Sequence, residues 1–285
     1  MQNLSEIRSI LERRGIRPKH RLGQNFLHDQ NQIRRLLEAA ALEADELVVE
    51  VGPGTGTLTE ALLEAGCSVI ASELDEDMAD IIDERLMDRI EVIRGDCLDG
   101  PRTLSRALDE AIGDRSFKLV ANLPYGAASP LMSLLAFDPR CRGQYVTIQR
   151  EVGDRLLAEP GTKTWGPLTI SVRIRCDVEL IGRLSPQCFW PAPKVDSVMV
   201  AITPRGAHSD LPEAVVSRVL RTLFTKRRKQ LGTILGRNTA LPNGITADRR
   251  PDSLSIDELV SLATLDVFGE DPGAGSEGAH SGSRR

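Results

Sequence analysis

Between residues 47 and 120 the chain alternates short runs rich in Val, Ile and Leu with longer stretches of helical period. LVVEV (47–51) is a predicted strand ending in a glycine loop, and TLTEALLEAG then repeats apolar residues at helical spacing up to Gly66. SVIASEL (68–74) predicts a second strand, DEDMADIIDERL a second helix and IEVIRGD (90–96) a third strand. FKLVANLPY (117–125) and YVTIQREV (145–152) continue the series. Strands separated by helices predict an open, mostly parallel sheet covered on both faces, with right-handed crossovers. VELIGRL (178–184) and SVMVAITP (197–204) lack a helix-length spacer, which predicts an antiparallel pair closing the sheet edge.

After Pro212 the strand pattern stops. EAVVSRVLRTLFTKRRKQLGTILG reads as helix, a loop rich in Pro, Asn and Gly follows, and SIDELVSLATL reads as another helix. Ser255 with Glu258 three positions later has the form of a capping box. The expected organisation is a sheet domain over 1–204 that opens with a basic arm at 1–28. A small all-helical domain over 205–267 and a low-complexity, disordered tail over 268–285 follow.

A chain of 285 residues accommodates two such domains and buries a core without disulfides or a structural metal. Its five cysteines (67, 97, 141, 176 and 188) are scattered and form no C-x-x-C pair. They read as reduced cytosolic thiols, so no metal site and a cytoplasmic location are expected. MQNLSEIRSILERRG lacks the apolar core of a signal peptide, and no apolar run reaches the roughly 18–20 residues of a membrane span. The formal net charge of −5 argues against a nucleic-acid binder until it is resolved along the chain. Residues 1–35 carry eight Lys/Arg against three Asp/Glu, and residues 205–250 ten against three. Where two such segments converge they attract phosphates, because local potential governs association more than total charge.

The chemistry gathers at the predicted strand ends. Glu50-Val51-Gly52-Pro53-Gly54-Thr55-Gly56 leaves the first strand and enters a helix. Glycines there admit close approach of a ligand, and the helix start offers unpaired N–H groups. Glu73 ends the second strand, where an acid accepts hydrogen bonds from both ribose hydroxyls. Asp96 ends the third, placed to accept from an adenine amine. A dinucleotide fingerprint requires glycine where Thr57 stands, so a single adenosine with a short sulfonium tail fits better than NAD.

The fourth strand ends in Asn122-Leu123-Pro124-Tyr125. Adenine's exocyclic amine is a weak nucleophile, since its lone pair is delocalised into the ring. Two acceptors aimed at its hydrogens turn that lone pair outward. The Asn122 side-chain oxygen and the Pro124 carbonyl are the expected pair, with Tyr125 stacked on the base.

Further blocks fall in order along the chain. They are Gly23-Gln24-Asn25-Phe26-Leu27, Glu73-Leu74-Asp75, Gly95-Asp96, Gln149-Arg150-Glu151-Val152, Phe189-Trp190-Pro191-Ala192-Pro193-Lys194-Val195-Asp196-Ser197 and Phe224-Thr225-Lys226-Arg227-Arg228-Lys229-Gln230-Leu231. With these the sequence resembles the small-subunit ribosomal RNA adenine dimethyltransferases over residues 17 to about 267. The resemblance implies a Rossmann-like, S-adenosylmethionine-dependent methyltransferase sheet with an antiparallel edge strand and a small helical RNA-binding domain. It implies small-subunit ribosomal RNA as partner, while the absence of an obvious apolar surface stripe in the sequence points to a monomer. By that resemblance Gln24, Asn25 and Leu27 close over the methionine end of S-adenosylmethionine, with Gly52 and Gly54 beneath it. Glu73 with Leu74 holds the ribose, and Asp96 with Cys97 the cofactor's adenine. Asn122, which also touches the cofactor, Leu123, Pro124 and Tyr125 hold the target base. Phe189 stacks on that base's other face, and Lys226, Arg227, Arg228 and Lys229 grip the RNA backbone. The target adenine leaves its stack to enter such a pocket, which unpaired RNA loops permit cheaply.

Three departures stand out: Gly126-Ala127-Ala128 in place of a polar residue and an isoleucine, Trp165 in place of Tyr, and Pro191-Ala192-Pro193 in place of three prolines. The first widens the target pocket and bears on the second methylation. Rival readings are a large-subunit ribosomal RNA adenine methyltransferase of the antibiotic-resistance type and a non-catalytic RNA-binding ribosome-assembly factor. The basic helix and the Gly244–Ser255 stretch favour the small-subunit group, and intact Asp96, Asn122, Pro124 and Tyr125 favour catalysis. A small-molecule methyltransferase leaves both basic segments without a purpose.

Overall fold

The computed structural model describes residues 1–86, 88–100, 102–206 and 211–268. These fall into two compact units, one over 1–159 and 163–206, the other over 160–162 and 211–268.

In the first unit the amino arm holds helix α1 (Leu4–Arg13) and the two-residue strand β1 (Phe26–Leu27), and leads into α2 (Gln30–Ala40). Strands and helices then alternate: β2 (Leu47–Val51), α3 (Thr57–Glu64), β3 (Ser68–Glu73), α4 (Glu76–Leu86) and β4 (Glu91–Arg94). A short hairpin of β5 (Leu98–Gly100) and β6 (Thr103–Leu104) precedes α5 (Arg106–Ile112), β7 (Phe117–Asn122) and α6 (Tyr125–Leu135). The unit continues through β8 (Cys141–Gln149), α7 (Arg150–Leu156), α8 (Pro167–Arg173), β9 (Cys176–Leu184), β10 (Phe189–Trp190) and β11 (Ser197–Pro204).

Seven strands make the main sheet in the order β4-β3-β2-β7-β8-β11-β9. The parallel sheet and its crossover helices follow the sequence pattern, with one adjustment. The reversed strand is β11, which lies between β8 and β9 rather than at the edge. Its position follows from burial: Val198, Val200 and Ile202 fill one face and Met199 the other, which suits an interior strand. β9 is half-exposed or exposed from Asp177 to Ile181, as an edge strand is.

The core lies on both sides of the sheet. Leu47, Val49 and Val51 of β2 face α5, α6 and α8, while Val48 faces α2 and α3. A strand covered on both faces is apolar at nearly every position, hence the unbroken LVV of β2. After β4 the chain crosses back so that β7 lies on the far side of β2 from β3. That reversal opens a crevice at the strands' carboxyl ends.

The second unit contains α9 (Glu213–Phe224), α10 (Leu231–Leu235) and α11 (Ile256–Ala263). α9 buries Val216, Val219, Leu220, Leu223 and Phe224 on one stripe, and it touches α10 and α11. The long helix expected from 213 to 236 breaks at residues 225–229, which form turns. Thr225 Oγ1 bonds back to the Arg221 carbonyl, and four consecutive cations repel one another while offering nothing to the core. The capping box of α11 is present: Ser255 accepts from Glu258 N, and Glu258 accepts from Ser255 N at 2.8 Å. The tail expected over 268–285 lies outside the described residues apart from Phe268, which is fully buried.

Candidate active site

At the crevice the loops after β2, β3, β4 and β7, together with the arm, line a cavity of about 350 Å³. The glycine loop makes this possible. Gly52 has φ +73°, and a Cβ there meets Pro124 Cγ at 3.0 Å; Gly54 has φ +58°, and a Cβ there meets the Phe26 ring at 2.7 Å. Only glycine adopts these angles cheaply while letting the arm and the β7 loop approach so closely.

Glu73 is 7% exposed, and its two oxygens accept from Gly54 N (3.2 Å) and Asp75 N (2.9 Å). Burial pushes its carboxyl above the usual range, against the pull of those N–H groups. Glu50, at the end of β2, also lines the cavity and accepts from Thr59 Oγ1 at 2.7 Å. Burial pushes it up to about 8; the Thr59 bond opposes this and the Glu73 charge adds to it. The unfolded carboxyl titrates near 4.5, so the folded chain holds this proton more tightly. The resulting stability is complete below about 4.5 and is lost as pH rises through about 8. Glu50→Gln keeps the neutral form at every pH. In calorimetric unfolding without cofactor, the wild-type Tm is therefore expected to fall more steeply than that of Glu50→Gln between about pH 5 and 8.5. Equal slopes show instead that Glu50 ionises freely in the folded chain.

Asn122 closes β7 and lines the cavity. Its Nδ2 donates to the Asn25 carbonyl at 2.9 Å. A carbonyl accepts only, so the arm fixes the amide's orientation and leaves Oδ1 beside the cavity as a free acceptor. Tyr125, 38% exposed, stands at the start of α6 with its hydroxyl 3.4 Å from Asn25 Nδ2. Leu74, 52% exposed, lines the cavity next to Glu73. Asp96 is exposed and accepts from Leu98 N at 3.0 Å, whereas Cys97 is buried and its thiol pushed up to about 12. That thiol stays protonated at neutral pH.

The cavity lining thus brings together Gln24, Asn25, Leu27, Gly52, Gly54, Glu73, Leu74, Asp96, Cys97, Asn122, Pro124 and Tyr125. Two side chains expected there lie elsewhere. Leu123 is 3% exposed and points into the core, with its N–H held by the Thr147 carbonyl. Phe189 is 4% exposed, paired with Leu27 across the β1–β10 ladder and packed in the core on that side of the sheet, so its ring is not in the lining. The expectation for the Pro124 carbonyl also needs correction. It accepts from Ala127 N and Ala128 N, both at 3.1 Å, as the cap of α6, and is spent on the helix. No hydrogen bond to the Leu123 carbonyl is made among the described residues.

Lys226, Arg228 and Lys229 are exposed in the second unit, without an ion pair among the described residues. Arg227 is half-buried and pairs with Asp252 at 3.4 Å. No cluster of metal-ligating side chains occurs among the described residues, and no described helix is long and apolar enough to cross a membrane.

The model of a family described as ribosomal RNA adenine dimethylase matches residues 15–264, most of the chain. The chain belongs to this family. The dimethylase is 38% identical over 280 residues to ribosomal RNA small subunit methyltransferase A of Lactiplantibacillus plantarum, covering 91% of this chain and 94% of the relative. It is 37% identical to the protein of the same name from Clostridium acetobutylicum, covering 90% and 96%. Among solved structures, a dimethyladenosine transferase from Plasmodium falciparum shares the fold, with TM-score 0.68 and 24% identity over 83% of this chain and 95% of that one. The 23S rRNA methyltransferase ErmE superposes with TM-score 0.63 and 25% identity, over 84% and 98%.

The dimethylase cavity fits S-adenosylmethionine. The Thr55, Thr57 and Ser72 hydroxyls lie buried in its lining without a partner, and such groups call for a polar ligand. Sequence reasoning missed these three hydroxyls and Glu50. The signal for Glu50, Thr55 and Thr57 was the loop itself, which carries threonines among its glycines, and that for Ser72 its place beside Glu73 at the end of β3.

Proposed function

We propose that this dimethylase methylates the exocyclic amine of adenines in small-subunit ribosomal RNA, twice per target, with S-adenosylmethionine as methyl donor. The single observation that carries the reading is the Asn122 amide, oriented by the Asn25 carbonyl so that Oδ1 is presented to the cavity.

S-adenosylmethionine supplies, when bound, an electrophilic methyl group. Glu73 holds the ribose hydroxyls with the acceptor capacity left over from Gly54 and Asp75, and Leu74, Asp96 and Cys97 receive the adenine end. Glu50, Thr55, Thr57 and Ser72 meet the polar methionine end. Asn122 Oδ1 accepts one hydrogen of the target amine. The Leu123 carbonyl, rather than that of Pro124, is the second acceptor, because it is the one left without a donor. Together they draw the amine lone pair out of conjugation and stabilise positive charge as it develops on nitrogen. Tyr125 stacks on the base at the rim. The buried Phe189 ring has no part in this pocket. Proton loss to water completes each transfer, so no general base is needed.

The small subunit is favoured over the large by the names and 36–38% identities of the curated relatives, against 25% for ErmE. A monomer is the proposed state, and five free buried thiols suit a cytoplasmic location. Lys226, Arg228 and Lys229 hold RNA phosphates.

The test is methyl transfer to unmethylated small and large ribosomal subunits, with products mapped by mass spectrometry. Dimethyladenosine confined to the small subunit is expected; transfer to large subunits alone overturns the reading. Changing Lys226, Arg228 and Lys229 to Gln is expected to lower the salt slope of RNA binding by about 2 and to leave cofactor affinity unchanged.

A further inference from the structure

A buried carboxylate ties the amino arm to the floor of the site. Asp75 is 3% exposed, and both its oxygens are engaged by the arm. Lys19 Nζ lies 2.5 Å from Oδ1, and Gln24 Nε2 donates to Oδ2 at 2.6 Å. Lys19 Nζ also reaches Asp77 at 2.6 Å, and the Lys19 backbone N–H donates to Gln24 Oε1 at 2.7 Å. The Gln24 amide is therefore held at both ends within the protein, which fixes its orientation in the arm. If the arm lifts, Asp75 keeps only the Asp77 N–H at 3.2 Å, a costly state for a buried charge.

The consequence reaches the reacting group. One residue beyond Gln24, the Asn25 carbonyl accepts from Asn122 Nδ2, and this bond decides whether oxygen or nitrogen of the amide meets the target amine. The two ends of an amide are nearly the same size, so packing alone does not choose between them. Asp75 N also donates to Glu73 Oε1, which places the latch two residues from the ribose-holding acid.

We propose that Lys19, Gln24 and Asp75 are positioning residues, a latch whose closure holds the Asn25 carbonyl on Asn122 and so sets the catalytic amide. This rests on the role given to Asn122 above. A solvent-exposed ion pair contributes little, but the Asp75 side chain is 2% exposed and that of Lys19 30%, so this pair constrains the arm.

The test uses the full chain with Lys19→Met, Asp75→Asn and Lys19→Arg, each also combined with Asn122→Ala. Single-turnover transfer to unmethylated small subunits gives the rate, steady state gives KM for RNA, and unfolding gives Tm. Lys19→Met and Asp75→Asn are expected to slow transfer by about tenfold to a hundredfold, with KM for RNA within about threefold and Lys19→Arg restoring most of the rate. In the Asn122→Ala background the same changes are expected to have no further effect, since the latch works through that amide. Wild-type rates in the single variants, or losses that multiply in the double variants, overturn the proposal. If either variant loses its Tm, Gln24→Met cuts the same link while leaving the Lys19–Asp75 pair, and the same two criteria apply. Failure of the wild-type chain to methylate small subunits is read separately and counts against the function, not the latch.

Discussion

Asn122→Ala is expected to slow methyl transfer by about 10²–10³-fold while leaving cofactor affinity within about threefold, the scale of loss when one preorganised partner of a developing charge is removed. The side chain sits at the end of a central parallel strand, half-buried, with one end of its amide fixed by the arm. Its oxygen acts only on the target amine, where attraction grows as nitrogen becomes cationic. The loss therefore falls on the rate and not on ground-state binding. Asn122→Asp is an informative companion: it retains an acceptor but faces the Asn25 carbonyl with a second oxygen, so it too is expected to be slow. A wild-type rate in Asn122→Ala, measured in single turnover, removes the acceptor from the mechanism.

Glu73→Ala is expected to weaken S-adenosylmethionine binding by about 3 kcal/mol, on the order of 10²-fold, from the loss of charged hydrogen bonds to two hydroxyls. The same change strands the Gly54 and Asp75 N–H groups, the donors that hold the glycine loop and the latch against β3. Calorimetric titration reads the affinity, and RNA binding measured without cofactor serves as the control. An unchanged cofactor affinity rules out the ribose contact.

The central strands of the sheet were legible because they are apolar at nearly every position, and the glycine loop, Glu73, Asp96 and Asn122 because each sits at or just after a strand's end. The break after Phe224 was not legible in the sequence, because the polar run from Thr225 to Gln230 fits the exposed side of a continuous helix as well as a turn. Nor was the β1–β10 ladder, since two residues carry no period. Hydrogen-bond accounting was out of reach as well. That the Pro124 carbonyl serves α6 while the Leu123 carbonyl stays free depends on where the helix begins. Lys19 and Asp75 stand 56 positions apart, and only the fold brings them together.

The Phe26 ring that crowds Gly54 is stacked on Trp190 with centroids 6.3 Å apart, and the Arg8 guanidinium lies 5.2 Å from the indole on α1's side. The chain has two tryptophans, and the other, Trp165, is 1% exposed and absent from the cavity lining. The molecule therefore carries an intrinsic optical reporter. Fluorescence from a Trp165→Phe chain comes from one indole, in stacking contact with the ring that touches the glycine loop, so filling or emptying of the pocket can be followed in real time without an attached dye.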